Sequence, residues 1–182
     1  MSEKWCNVCR KRVPAWDSNC RTCHNELVPL VPLTIDLLRE EAIKFGSQPT
    51  EWSKDIFWTN DGKKIGTFVE RQLRECLGPY LYRFSGRGVD FPDLPVDVKA
   101  TTADRMRTSA KFDGEEQATN GLGYATLLFV YQKESDRQRE MSRLIFTDVR
   151  FVPANHVLNL TRVDQWSVNF NHTEKYSLLS HV

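Results

Sequence analysis

The apolar residues of this chain fall into blocks whose spacing changes, and each spacing predicts an element. Ile35, Leu38, Ala42 and Phe45 recur at helical intervals behind Thr34, which suits an N-cap, and Gly46 is expected to stop the run. A tryptophan-rich stretch with Trp52, Phe57 and Trp58 follows, and Asn60-Asp61-Gly62 breaks the chain. Ile65, Phe68, Val69, Leu73 and Leu77 then form the stripe of a second amphipathic helix, which Gly78-Pro79 terminates. Beyond it the period drops to two. Tyr80 to Phe84 predicts a short strand, Val96 to Thr102 an alternating one, and Leu144 to Val152 another. Tyr124 to Tyr131 is almost continuously apolar, the mark of a central strand buried on both faces. The charged run from Lys133 to Arg143 reads as a solvated connection and residues 103–121 as a long polar loop. After Pro153, Asn155 to Asn159, Thr161 to Val168 and Lys175 to His181 are open to short helices.

These blocks predict an α/β fold class, a mixed central sheet flanked by helices, over residues 33–182. Before it, Leu27 to Leu33 with Pro29 and Pro32 forms a stiff extended connector, and residues 1–32 make a separate small module with that connector. A chain of 182 residues, 40% of them hydrophobic, has room for one sizeable core and such a module. No apolar signal segment opens the sequence and no window nears the ~18 apolar residues that span a bilayer, so a soluble, cytoplasmic protein without membrane contact is expected.

Chemistry enters first at the amino terminus. Cys6-x2-Cys9 and Cys20-x2-Cys23 are two knuckles separated by ten residues, and paired Cys-x2-Cys turns supply four thiolates to a tetrahedral Zn²⁺ without distorting the backbone. A four-cysteine zinc ribbon is expected. His24 adjoins Cys23 and could replace it; two disulfides are the competing arrangement, which nothing suggestive of secretion supports. Trp5 and Trp16 either form the only core so small a module can assemble or stack on a partner. Cys76 lies in the apolar pattern of the second helix and reads as a buried thiol. His156, His172 and His181 are isolated and read as ordinary histidines.

The second site lies between Gly86 and Thr102, where an acid, six intervening residues, a second acid, one residue and a lysine follow in order. On a strand Asp97 and Lys99 share a face and Val96 and Val98 take the other. The turn-rich Phe91-Pro92-Asp93-Leu94-Pro95 can fold back and bring Asp90 beside them. Two carboxylates suit Mg²⁺, which takes one or two of them and keeps several waters, and Lys99 would stabilise charge on a phosphate in the transition state. Asp93 competes with Asp90 as first acid, but is only four residues before Asp97.

This stretch resembles the PD-(D/E)xK nuclease superfamily, in particular type II restriction endonucleases and the mismatch-repair nicking endonuclease, over roughly residues 63 to 152. The resemblance implies a divalent-metal-dependent DNA endonuclease. It also implies that Glu70, in Gly66-Thr67-Phe68-Val69-Glu70-Arg71-Gln72-Leu73, is a third acid of the site; the residue pattern alone equally allows a surface pair with Arg74. The second acid departs from the pattern, being Asp where Glu is commoner. A type II restriction enzyme is the leading expectation, a nicking repair enzyme the next, and a non-catalytic zinc-ribbon nucleic-acid-binding protein the reading from another class.

The formal net charge of +1 gives no global attraction to DNA. Contacts to double-stranded DNA are therefore expected from local patches: Arg87, Arg105, Arg107 and Lys111 near the acids, and Arg10 and Arg12 in the ribbon. One set of Asp90, Asp97 and Lys99 cuts one strand, so a double-strand break at a symmetric site calls for a homodimer on DNA.

Overall fold

The structure, a computed structural model, describes residues 3–14, 16–85, 89–102, 105–108, 123–154, 159–162, 165–169 and 175–176. Its centre is a four-stranded mixed sheet. β6 (Val96–Thr101) runs parallel to β8 (Ala125–Asp136), β8 pairs antiparallel with β9 (Met141–Val152), and β9 carries the short β12 (Lys175–Tyr176) on its far side. The mixed sheet and its helices agree with the α/β expectation.

Both helices form where the apolar spacing places them. In α1 (Ile35–Gly46) the Thr34 hydroxyl accepts from the Leu37 N–H at 3.2 Å, and Leu38 and Ala42 are buried. Gly46 is the last helical residue and Ser47 the cap. The glycine is there for packing: a Cβ at Gly46 would collide with Val149 on β9, so its absence lets helix and sheet approach closely. α2 (Gly62–Cys76) starts at Asp61, whose carboxylate accepts from the Lys63 N–H at 2.9 Å. Its buried Ile65, Phe68, Val69 and Leu73 pack with Val96, Val98, Leu127 and Phe129 of the sheet, so the core lies between the helices and one face of β6 and β8. Residues Ala125 to Tyr131 are all buried, as a central strand requires.

The amino-terminal module is a three-stranded sheet in which β1 (Glu3–Cys6) lies between β2 (Lys11–Pro14) and β3 (Val28–Pro29). The connector is fastened as well as stiff, since β4 (Val31–Pro32) pairs parallel with β5 (Tyr80–Leu81). That pairing is all the strand there is of the expected Tyr80 to Phe84. Two further contacts hold the module: Trp5 packs where Gly78 leaves room for its indole, and Arg12 donates to the Tyr80 carbonyl at 2.7 Å.

Three expectations are corrected. Lys133 to Arg143 is no loop, because β8 and β9 continue as a ribbon joined by a turn over residues 137–140. Along it Glu134 pairs with Arg143 at 2.7 Å and the Ser135 and Ser142 hydroxyls bond at 2.7 Å, so polar side chains satisfy one another across the strands. The polar stretch 103–121 contains β7 (Arg105–Thr108). Beyond Pro153 the described backbone is extended: β10 (Asn159–Arg162) and β11 (Gln165–Asn169) pair with each other, and β11 with β7, where short helices were expected. Asn155, the three residues after it and the residues from 177 on lie outside the described residues, as do His156, His172 and His181.

Candidate active site

The turn before β6 is pinned by its hydrophobic residue. Phe91 is buried against Tyr82 and Phe84, its N–H donates to the Val96 carbonyl at 2.9 Å, and its own carbonyl accepts from Val96 and Leu94. The chain therefore folds back on β6, and Asp90, one residue earlier, reaches across it: Asp90 Oδ2 accepts from the Val98 N–H at 2.8 Å. Asp90 is 7% exposed and Asp97 5%. Asp93 lies elsewhere, its carboxylate paired with Arg83 at 2.8 Å and half exposed, so the acid that meets Asp97 is Asp90.

Alternation along β6 sends Val96 and Val98 into the helix-side core and leaves Asp97 and Lys99 together. Lys99 Nζ lies 2.6 Å from Asp97 Oδ2. Burial pushes the Asp90 carboxyl up to about 7 despite the Val98 N–H, with Asp97 and Glu70 adding to the rise. Burial opposes the charge on Lys99, but Asp97 and then Asp90 outweigh it and its pKa is raised.

Glu70 comes from α2, which packs against β6, the end strand of the four-stranded sheet. Half-buried, it has a raised pKa, chiefly through burial; Lys99 and Arg74 pull it down and Asp97 pushes it up. It thus shares the electrostatic surroundings of Asp97 and Lys99, while Arg74 stacks over the Phe84 ring at 4.2 Å.

Tyr124 is a member of this group that the sequence pattern had assigned only to a strand. Ala125 pairs with Val96 in parallel register, so alternation puts Tyr124 on the Asp97 side of the sheet. Burial, then the charge of Asp97, raises its phenol pKa, with Asp90 contributing and Lys99 opposing. It remains a neutral hydrogen-bond donor at ordinary pH. Its position depends on a parallel pairing between strands far apart in sequence; an aromatic with a polar tip at the head of an apolar run was the one local signal.

The ligand atoms of Cys6, Cys9, Cys20 and Cys23 all lie within 4.8 Å of one another. This donor set fits one tetrahedral ion, whose thiolates at Zn–S distances of ~2.3 Å would stand a little under 4 Å apart. The two knuckles match: Arg10 and His24, each just after the second cysteine, have left-handed φ of 50° and 58°. His24 is outside the sulfur group. Donors from Asn25 hold the Cys23 thiol down to about 6, and Cys9, a free thiol hydrogen-bonded to Cys23, is pushed up to about 12. The module's core is Cys6, Cys20 and Leu27 with Val13 beside them, not the tryptophans, since Trp5 faces Gly78 and Trp16 is 69% exposed. Cys76 is half-buried, with burial raising its pKa. Among the described residues no other three or more His, Cys, Asp or Glu side chains converge this tightly; Glu70, Asp90 and Asp97 are spread around Lys99.

The expected DNA contacts divide. Arg12 is engaged with Glu3, the Tyr80 carbonyl and the Tyr82 ring, and Arg10 is exposed. Arg105 and Arg107 alternate along β7, opposite Asn169 and Ser167 of β11. Arg87 and Lys111 lie outside the described residues.

The sequence model of the family described as "Type II restriction enzyme NspV" matches residues 32–167. The chain belongs to this family of type II restriction enzymes. A curated relative, the type II restriction enzyme NspV of Nostoc sp., is 35% identical over 127 residues, a stretch covering 67% of this chain and 57% of that enzyme. The chain therefore spans little more than half the length of that relative. No solved structure matches it. The NspV-family match takes in Glu70, Asp90, Asp97, Lys99 and Tyr124 and begins after the last of the four clustered cysteines. No helix among the described residues is long and apolar enough to cross a membrane.

Proposed function

We propose that this NspV-family chain is a Mg²⁺-dependent endonuclease that hydrolyses phosphodiester bonds in double-stranded DNA as a type II restriction enzyme. The observation that carries the reading is that Asp90, from the turn before β6, meets the strand bearing Asp97 and Lys99, inside the matched region. Asp90 and Asp97 would hold the cation, with Glu70 as the third acid. Burial chiefly raises the Asp90 carboxyl to about 7, and Asp97 and Glu70 add to the rise, a repulsion that a bound cation would relieve. When bound, the cation supplies Lewis-acid polarisation of the phosphate and a water of lowered pKa.

The chain's own residues do the rest. Lys99, held by Asp97, brings positive charge to the phosphoryl oxygens as negative charge builds up there. Tyr124, protonated, donates a hydrogen bond to the same group. The oxygen of water bonds to phosphorus and gives up a proton to the surrounding solvent as one P–O ester bond breaks, and the departing oxygen takes a proton from solvent.

The cysteine group would bind one structural Zn²⁺, and residues 1–32 would act as a module of their own, in keeping with a family match that starts at residue 32. Its exposed Arg10, with Arg105 and Arg107 on β7, would contact the DNA backbone; Arg12, in contrast, holds the module in place. Two copies related by a two-fold axis would cut both strands. The test is incubation of the purified chain with mixed plasmids and Mg²⁺, with mapping of the ends produced. Discrete, sequence-defined ends support the reading and intact plasmid contradicts it. Nicked circles alone, from a sedimenting monomer, would favour a nicking enzyme.

A further inference from the structure

Trp58 is the most exposed large apolar side chain among the described residues, at 82%. Its setting is not a loose loop. Lys133, from the core strand β8, donates to the carbonyls on both sides of it, Phe57 at 3.1 Å and Thr59 at 2.6 Å, and burial lowers the lysine's pKa. Ile56 is fully buried two residues earlier, Ser53 exchanges two backbone hydrogen bonds with Ser142 of β9, and the Phe57 ring meets the indole edge-on at 4.5 Å. One exposed indole is ordinary by itself; here the backbone on both sides of it is held by a core strand, which keeps the ring in place with its face open to a partner.

The surroundings say what. Lys54 stands four residues before it and Lys63 and Lys64 five and six after it, all exposed, and Lys63, Lys64 and Arg71 line an open cavity of about 510 Å³ that begins at Asp55 and Ile56. Asp55 and Arg71 cancel one another in an ion pair at 2.5 Å, and Asp61, which accepts from the Lys63 N–H at 2.9 Å, offsets one of the three lysines. What remains is positive charge around an aromatic face, which complements a polyanion carrying stackable or apolar groups. The surface is also aligned with the acids. Lys63 precedes Glu70 by seven residues, so it lies on the same face of α2 about 10 Å away, the length of roughly three base steps along one strand.

We propose that Trp58 with Lys54, Lys63 and Lys64 forms a docking surface for the DNA duplex flanking the bond to be cut, the lysines on phosphates and the indole against a sugar or base edge. The surface presupposes the endonuclease reading for its purpose, but its occupancy is measured separately from cleavage.

Trp58→Ala and the double variant Lys63→Gln with Lys64→Gln would each be made in an Asp97→Ala background, so that Mg²⁺ can be present without cutting. Both would be titrated against a short mixed-sequence duplex over a range of salt concentrations. Trp58→Ala is expected to weaken binding about tenfold, through loss of the apolar area the indole buries against the duplex. The double variant is expected to reduce the slope of log affinity against log salt by about 2, one lost phosphate contact for each lysine. Melting temperatures should stay at the parent value, since all three side chains point into water. Parent affinity and slope in both variants would overturn the assignment. So would a Trp58→Ala protein that keeps its DNA affinity but sediments as a smaller species, because the face would then join copies of the chain. A parent chain that binds the duplex through this surface yet never cuts plasmid would leave the surface standing and remove the endonuclease reading.

Discussion

The Asp90 carboxylate accepts a hydrogen bond from the backbone N–H of Val98 at 2.8 Å, tying the acid in the turn to the strand that carries Asp97 and Lys99. One contact thus sets the spacing of the candidate ligands and fills a buried donor on an end strand. The two roles separate by substitution. Asp90→Asn keeps an acceptor for Val98 and should abolish cleavage without lowering the melting temperature. Asp90→Ala should abolish cleavage and also destabilise the fold by about 1–3 kcal/mol, the penalty for an unsatisfied buried donor. Thermal melts of both variants beside a plasmid assay distinguish them.

The raised Asp90 pKa has a definite consequence for stability. Its value is about 7 in the folded chain against 3.8 for the free side chain, so between those pH values the folded state binds more protons than the unfolded one. The metal-free protein should therefore lose this contribution as pH rises from about 4 through about 7. Asp90→Asn should flatten the loss over that window, and Mg²⁺ should offset it at the alkaline end. Melting temperatures measured across that pH range, with EDTA or with Mg²⁺, check the sign.

Local signals were legible because they depend on near neighbours. Thr34 caps α1 as its side-chain chemistry suggests, the Ile65 to Leu73 stripe faces the core, and the sulfurs of two Cys-x2-Cys pairs converge. Asp90 was also within reach of sequence reasoning, since prolines and a buried Phe91 leave the turn few ways to run. What stayed hidden was non-local. The Glu134–Arg143 and Ser135–Ser142 pairs of the ribbon read as a solvated charge run until the strands are placed side by side. Tyr124 needs the parallel register of β6 and β8, and Lys133 needs the Trp58 segment that it holds. The four- and five-residue strands β10 and β11 are too short to separate a period of two from a turn of helix.

Removing a ligand from the cysteine group should unfold the module, because folding of so small a unit is coupled to metal binding. Cys20→Ser is expected to lose zinc and the packing of Cys6, Cys20 and Leu27 around it. Elemental analysis of the reduced parent should find one zinc per chain, and the absence of zinc from active protein would remove the assignment.

Tyr124→Phe keeps the ring and deletes the donor. With Tyr124 on the Asp97 side of the sheet, turnover should fall by about tenfold or more while KM and melting temperature stay near parent values. An unchanged kcat would exclude the hydroxyl from the reaction.

The central claim, that Asp97 on β6 serves phosphodiester cleavage, is tested most directly by one comparison. Parent and Asp97→Ala proteins would be incubated with supercoiled plasmids of mixed sequence and Mg²⁺, with binding of the same DNA measured in parallel. The parent should produce discrete ends only when Mg²⁺ is present, and Asp97→Ala should bind DNA but leave it intact. An Asp97→Ala protein that cuts at the parent rate would contradict the account.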